Sequence, residues 1–298
     1  MAANQPLVSI NLPTYNHEDY IADCLTSLVN QTHSNIEVLV MDDCSTDATL
    51  KIAQEFAKQH PEKIKVHPNK HNMGLPRNFN RGLQMAKGDY YVNFNSDDIM
   101  LPDNLARQVA ALEANPDATF CHANAIYFDS DTGDTIKLRH KTPPPETSFR
   151  RFMIGSNACA PAAMMRGSAL PESFRVETGV ACDWTLFAEV LSKGEGLYIH
   201  EPLIKYRQHP HNVSKNIQIH YDSLKVLDWM HKNLNTPPEI IFGYGRKRRI
   251  LGKHLWHQGR YLKAVFYYLW GLVGYLAYGL RKFPKGFRTM YQIETKKL

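Results

Sequence analysis

Acidic residues stand directly after two apolar, β-prone runs of this sequence. They are Asp42 and Asp43 after one run, and Asp97 and Asp98, with Asn95 just before them, after the other. Adjacent carboxylates repel each other, so such pairs suit a site where a hard cation or a ligand's hydroxyls and amides neutralise them. Acidic residues also cap helices, and a predicted helix follows each pair. The pattern therefore allows a cation- or ligand-binding site or two helix caps.

A third acid, Asp183, precedes Trp184 in the first turn of a predicted helix that ends at residue 191. A single carboxylate held beside an indole can serve as a general base, whereas an acid in a first turn also stabilises the helix dipole. His209 and His211 lie in a polar loop after a predicted strand. Loop histidines of this kind can contact a metal or a phosphate, although isolated ones commonly do neither.

Arg77 is the basic residue best placed for an anion. The segment from residue 69 begins with turn formers, and a helix is predicted from Leu75 or Pro76. An arginine at a helix N-terminus can meet a phosphate together with backbone amides, or it can simply face solvent.

Strands and helices alternate along the first two thirds of the chain. The predicted strands cover residues 7–12, 36–41, 64–67, 90–94, 118–128 and 197–206. A strand-loop-helix opening is typical of α/β nucleotide-binding folds, in which ligands bind at the carboxyl ends of the strands. The chain has neither GxGxxG nor GxxxxGK[ST], so a dinucleotide-binding Rossmann site and a P-loop are unsupported.

Length and composition predict one large α/β domain with an appendage, since the chain has 298 residues of which 43% are hydrophobic. The five cysteines are scattered without a CxxC pair, which argues against zinc and a disulfide framework and favours a reducing cytoplasm. The first ten residues have neither a basic region nor a long apolar run, so no signal peptide is expected.

Several motifs occur together in one order: VSINLPTYN, VMDDCSTD, NMGLPRN, GDYYVNFNSDD, an acid before Trp184, and YRQHPHNVS. Over residues 7–214 the chain resembles the inverting family 2 glycosyltransferases with a GT-A fold, of the type that builds bacterial surface polysaccharides. The resemblance implies an α/β fold, a Rossmann-like mixed sheet flanked by helices. It also implies a catalytic domain at residues 1–215, with a nucleotide-binding half at about 1–130 and an acceptor half at about 140–215. Residues 216–298 would form a helical appendage.

The resemblance also assigns roles to individual residues. Asp183 takes the place of the catalytic base, and Asp97, with His209 as a later contact, is expected to bind Mg²⁺ or Mn²⁺. The residues expected to bind the nucleotide-sugar are Pro13, Tyr15, Asn16, Asp43, Arg77, which approaches the diphosphate, Asn95 and Asp98.

Two positions depart from the family pattern. Asn95 stands where many relatives have the first Asp of the DxD motif, and Cys182 stands before the base where an acid is frequent.

The implied activity is metal-dependent transfer of a sugar from a nucleotide-diphosphate donor to a saccharide acceptor, expected to be lipid-linked, in cell-surface polysaccharide or lipopolysaccharide synthesis. The two departures motivate an alternative, a non-catalytic nucleotide-sugar-binding or scaffold subunit. A nucleotidyltransferase is disfavoured because the PTYN loop is not Gly-rich and carries no Arg or Lys.

The C-terminal region is basic and aromatic. Residues 246–298 hold 13 Lys and Arg against one acid, a charge of +12, so the remainder of this +6 chain carries −6. Residues 264–280 lack charge but include three glycines and four tyrosines, and a membrane-spanning helix needs ~20 apolar residues.

We therefore expect a helix lying on the cytoplasmic leaflet of the inner membrane, with anionic headgroups near Arg281, Lys282, Lys285 and Arg288. A helical hairpin packed on the catalytic domain is the alternative. Nucleic acid is not an expected partner, because no recognised reading motif accompanies the basic residues.

Overall fold

One mixed β-sheet forms the centre of the protein. The computed structural model describes residues 5–144, 146–154, 158–237 and 240–281. The strands within them are β1 (Val8–Thr14), β2 (Ile36–Asp42), β3 (Ile64–Val66), β4 (Tyr90–Asn93), β5 (Ile99–Met100), β6 (Ala118–Asp129), β7 (Thr135–Leu138), β8 (Ala163–Arg166) and β9 (Glu195–Gln208).

The strand order is β3-β2-β1-β4-β8-β6-β9-β5, with β7 paired to β6. Strand β1 is parallel to β2 and β4, and β6 is parallel to β9. Strand β8 is antiparallel to both β4 and β6. Strands β1, β2, β4, β6 and β9 therefore point the same way, and their carboxyl ends form one edge, called here the carboxyl edge.

Helices cover both faces of the sheet. Their bounds are α1 (Ile21–Val29), α2 (Thr49–Gln59), α3 (Leu75–Met85), α4 (Asn104–Glu113), α5 (Phe149–Ile154), α6 (Cys182–Leu191), α7 (Gln218–Asn233), α8 (Ile240–His257) and α9 (Tyr261–Arg281). Successive strand residues point to opposite faces, so Tyr90 and Val92 pack with α1, α2 and α4, whereas Tyr91 packs with α3, α5, α6 and α7.

Helix α6 runs from the carboxyl edge to the opposite edge. Near its end, the Thr119 hydroxyl at the start of β6 donates a hydrogen bond of 2.9 Å to the Val190 carbonyl, and β9 begins soon afterwards parallel to β6. The ring of Phe187, three residues before Val190, lies 5.2 Å from that of Phe120, one residue further along β6, so the first turn of this ten-residue helix lies about 15 Å from its end, toward the carboxyl edge.

The C-terminal helices are joined to the rest of the protein by apolar packing. Val226 and Leu227 of α7 and Ile240 of α8 share a buried cluster with Trp184 and Phe187 of α6. Helix α9 packs along α8 as a hairpin. The division of the chain at residue 216 stays a prediction.

The described helices include none that is long and apolar enough to span a bilayer. Among the four cations predicted to lie near lipid headgroups, Lys282, Lys285 and Arg288 fall outside the described residues, and Arg281 ends α9.

Candidate functional site

Asp97 and His209 meet at the carboxyl edge although they are 112 residues apart in sequence. His209 Nε2 lies 3.0 Å from Asp97 Oδ2, and the Asn212 side-chain amide donates to the same oxygen over 3.4 Å. Both side chains are buried, and His209 Nδ1 has no hydrogen-bond partner among the described residues. Carboxylates suit Mg²⁺ and Mn²⁺, and a neutral imidazole nitrogen is a common metal ligand in proteins.

Asp98 is held by protein donors. One of its oxygens accepts the Arg207 backbone N–H at 2.8 Å, and the other accepts the Asn95 side-chain amide at 3.1 Å. Burial, followed by the charge of Asp97, raises the pKa of the Asp98 carboxyl well above its usual range. Asp98 thereby fastens the end of β9 to the loop after β4, and Asp97 is the carboxylate with more freedom to bind a cation.

Arg207 is a site residue to which the sequence analysis gave no role. Its Nε donates to the Asp97 carbonyl at 2.8 Å, and its NH2 group lies 3.0 Å from the Asp23 carboxylate. The guanidinium also stacks over the Tyr20 ring, which in turn lies 4.7 Å from the His209 ring. The signal in the sequence was an arginine at the end of a predicted strand, two residues before His209.

His17 is the second residue that sequence reasoning missed. Its Nδ1 lies 2.7 Å from the Ser96 hydroxyl, which donates to the Pro13 carbonyl at 3.0 Å. Burial lowers the pKa of His17. These contacts join the loop after β1 to the loop that carries Asp97. In the structure, Pro13 takes part through its backbone carbonyl, which accepts the Ser96 hydroxyl.

The predicted nucleotide residues after β1 lie in a constrained loop. Asn16 has φ of 53°, in the left-handed region that Asn tolerates better than most residues. Its backbone N–H donates to Ser45 Oγ at 3.1 Å, and its side-chain oxygen accepts the Thr46 N–H at 2.9 Å. Tyr15, next to it, is 43% exposed, so its ring is accessible from solvent.

Asp43 holds the loop that leads to α3. Its carboxylate accepts the side-chain amide of Asn69 at 2.7 Å and the backbone N–H groups of Met73 and Gly74, each at 2.9 Å. Arg77 follows in the first turn of α3, where it is exposed and has no pairing partner among the residues described. The structure thus gives Asp43 a structural task beside its predicted nucleotide contact.

Asp183 lies in the first turn of α6, on the side of the carboxyl edge and on the sheet face that carries α3. It is half-buried, and burial raises its pKa to about 6 against the opposing effects of the Trp184 backbone N–H and of the Lys247 charge in α8. No described hydrogen bond or ion pair joins Asp183 to Asp97 or His209. Asp183 therefore lies toward the same edge of the sheet as Asp97 and His209 without contacting either of them.

Comparison with known proteins places the chain in a family. The family described as Glycosyl transferase family 2 matches residues 9–174. A Bacillus subtilis protein named putative glycosyltransferase EpsE is 32% identical over 164 residues, which are 55% of this chain and 58% of that protein. The putative teichuronic acid biosynthesis glycosyltransferase TuaG of Bacillus subtilis is 39% identical over 214 residues, which are 71% of this chain and 83% of that protein.

Solved structures share the fold at lower sequence identity. S. aureus TarS, residues 1–349 in complex with UDP-GlcNAc, has a TM-score of 0.62 and 18% identity, covering 92% of this chain and 91% of that one. The mannosyltransferase PcManGT of Pyrobaculum calidifontis, in complex with GDP-Man and Mn²⁺, has a TM-score of 0.65 and 15% identity, covering 97% and 80%.

The predicted family, fold class and enzyme class are confirmed by these matches. The roles of the individual site residues stay predictions. The chain belongs to glycosyltransferase family 2, and it is a glycosyltransferase with the GT-A fold.

Proposed function

We propose that this glycosyltransferase moves a sugar, with inversion, from a nucleotide-diphosphate donor to a hydroxyl of a saccharide acceptor during synthesis of a bacterial surface polysaccharide. The observation that carries the proposal is the carboxyl edge, with Asp97 and His209 in contact and Asp183 toward the same edge. The complexes of TarS with UDP-GlcNAc and of PcManGT with GDP-Man support a nucleotide-sugar donor, and the name of TuaG supports the product class.

A divalent metal, Mg²⁺ or Mn²⁺, fits the residues at this edge. Asp97 and His209 would hold it as a pair. Within the described residues, no cluster of three or more His, Cys, Asp or Glu side chains is arranged as a metal site. Two protein ligands are enough, because Mg²⁺ and similar cations take their other ligands from substrate phosphates and water. When bound, such a metal supplies positive charge that neutralises the departing nucleotide diphosphate.

Each candidate residue then has a defined task in the reaction. Asp183 accepts the proton of the acceptor hydroxyl while that oxygen bonds to C1 of the sugar and the bond from C1 to the diphosphate oxygen breaks. Direct displacement inverts the anomeric centre. Arg77 approaches the diphosphate, and the residues that bind the nucleotide-sugar are Pro13, Tyr15, Asn16, Asp43, Asn95 and Asp98.

A donor panel tests this function. The purified protein is incubated with UDP- and GDP-activated sugars and Mg²⁺ or Mn²⁺, and nucleotide release is measured with and without saccharide acceptors. We expect release that depends on both metal and acceptor, and a β-linked product from an α-linked donor by NMR. Donor binding without release under any combination would instead favour the non-catalytic nucleotide-sugar-binding or scaffold subunit.

We further propose that the acceptor is lipid-linked and that the protein attaches peripherally to the cytoplasmic face of the inner membrane. The hairpin of α8 and α9 supports this, because residues 240–281 contain eight Lys and Arg and no acid. Exposed apolar side chains recur along α9 at helical spacing, and they are Leu262, Val265, Phe266, Leu269, Leu272 and Val273. Charge and apolar surface of this kind suit an anionic bilayer surface.

The double substitution Phe266→Glu and Leu269→Glu is expected to lower binding to anionic liposomes at least about tenfold, since burying one such side chain contributes about 1.5–3 kcal/mol. Flotation on a density gradient measures the bound fraction. The matched control is Ile136→Glu, which changes an exposed apolar residue of β7. Equal flotation of the double variant and the wild type would refute the attachment.

A further inference from the structure

Helix α8 passes close to the start of α6, where the proposed base lies. Lys247 Nζ lies 4.0 Å from the centre of the indole ring of Trp184, and Trp184 is the residue that follows Asp183. The approach is enforced by tight packing, because a Cβ at Gly243 would come within 2.4 Å of the Met153 backbone oxygen in α5. Lys247 is half-buried in this position.

Helix α7 fixes the turn that delivers Asp183 to α6. The buried Asp222 carboxylate accepts the Val180 N–H at 3.0 Å, and its side chain fills the space where a Cβ of Gly179 would stand. Gly179 has φ of 66°, which glycine adopts without strain. Asp183 therefore follows a turn fixed by α7, and the ring of the next residue, Trp184, carries the cation of Lys247 from α8.

Lys247 is the cation whose charge affects the pKa of Asp183. Burial raises the pKa of Asp183 to about 6, and this rise is opposed first by the backbone N–H of Trp184 and then by the charge of Lys247. Burial and the charge of Arg246 lower the pKa of Lys247 to about 8, while Asp183 raises it.

The other charged groups on the elements around Asp183 have partners of their own or do not act on it. Asp222 pairs with Lys225 at 2.8 Å, and Glu189 pairs with Arg175 at 2.7 Å. Burial, followed by Asp183 itself, raises the pKa of the Cys182 thiol, which keeps that group neutral. Glu177, on the preceding turn, is exposed.

We propose that Lys247 is a positioning residue for the transfer reaction, whose positive charge keeps Asp183 ionised and ready to accept the acceptor's proton near neutral pH. The inference rests on the proposed function of Asp183. It makes the C-terminal helices part of the catalytic centre, because the base would depend on a charge that lies outside residues 1–215.

The variant Lys247→Met tests the proposal through the pH dependence of kcat/KM with a water-soluble acceptor. In the wild type, kcat/KM should rise with pH through about 6, as Asp183 loses its proton. Loss of the nearby charge should move this rise upward by about one pH unit. Activity should then fall roughly fivefold at about pH 6 and change little at about pH 8.

Lys247→Arg should restore the wild-type profile, and Lys253→Met, which removes an exposed cation from the same helix, should leave it unchanged. Lys247→Gln provides a second neutral variant, and thermal unfolding checks the fold of all four. An unshifted rise in both neutral variants overturns the proposal. A higher KM for the acceptor with an unshifted rise also overturns it and assigns Lys247 to acceptor binding.

Asp183→Asn belongs in the same series. If the wild type transfers no sugar with any donor and acceptor, the proposed function fails. If Asp183→Asn transfers sugar at the wild-type rate, the assignment of the base is wrong and the inference about Lys247 fails with it. If that variant is inactive and the rise in Lys247→Met is unshifted, only the present inference fails.

Discussion

Substitution of Asp183 by Asn is expected to lower the rate of sugar transfer by about 10²–10⁴-fold, the usual contribution of a positioned general base. The amide cannot accept the acceptor's proton, yet it has nearly the shape of the carboxylate, so donor binding should be nearly unchanged. Single-turnover transfer and equilibrium binding of the donor, measured on the same preparation, separate the two effects. The rise in activity through about pH 6 should also disappear from any residual turnover.

The matched control for this experiment is Glu177→Gln. It removes an exposed acid six residues before the base without touching the first turn of α6. We expect normal transfer from that variant. Transfer by Asp183→Asn at the wild-type rate would show that another group, or no group, accepts the proton.

The second large effect is expected from the pair Asp97 and His209. Asp97→Asn or His209→Ala should weaken Mn²⁺ binding in the presence of a nucleotide diphosphate by more than the ~10–100-fold typical for loss of a group that only supports a ligand. The reason is that each substitution removes one of the two side chains that meet at the proposed metal site. Electron paramagnetic resonance of Mn²⁺ measures free and bound metal without requiring turnover.

His211→Ala is the control for this pair, because His211 is exposed and its ring lies 6.4 Å from that of His209. Metal affinity should be unchanged in this variant. Thermal unfolding of each variant without metal shows whether the loops at the carboxyl edge remain folded. Wild-type Mn²⁺ affinity in folded Asp97→Asn and His209→Ala would remove both residues from the metal site.

The edge of the sheet was predictable from the sequence because apolar strand runs end sharply at polar residues. Asp43 and Asp97 could therefore be predicted to lie at one edge of the sheet. The family resemblance added His209 as a predicted metal contact. The pairing of β9 with β6, and not with β4, was beyond sequence reasoning, since it depends on which strands meet in space. The role of Arg207 follows from that pairing.

Exposure explains a strand that sequence reasoning missed. The residues at 129–134 are typical of a turn, but the return strand β7 was missed, because its alternation of polar and apolar residues is only four residues long, Thr135 to Leu138, and all four are exposed. The sequence predicts a helix over residues 246–258, whereas α8 begins six residues earlier, at Ile240, since Ile240 and Gly243 pack into the core beside α5. The position of Lys247 beside Trp184 follows from this packing.

The departure at Asn95 has a physical rationale in the structure. Its side-chain amide donates to Asp98, which already lies in a buried site beside Asp97. A third carboxylate at this point would repel both, whereas the amide satisfies one of them. Asn95 is therefore compatible with a metal-binding role for Asp97.

The hydrogen bonds between Asp43 and residues 69–74 reduce the entropy that this loop would lose on binding a ligand. A loop that must become ordered when its ligand arrives loses conformational freedom, and that loss is subtracted from the affinity. Here three hydrogen bonds from Asn69, Met73 and Gly74 hold the loop in place in the free protein. The arriving donor would meet a preorganised wall, so more of its contact energy would remain as net affinity.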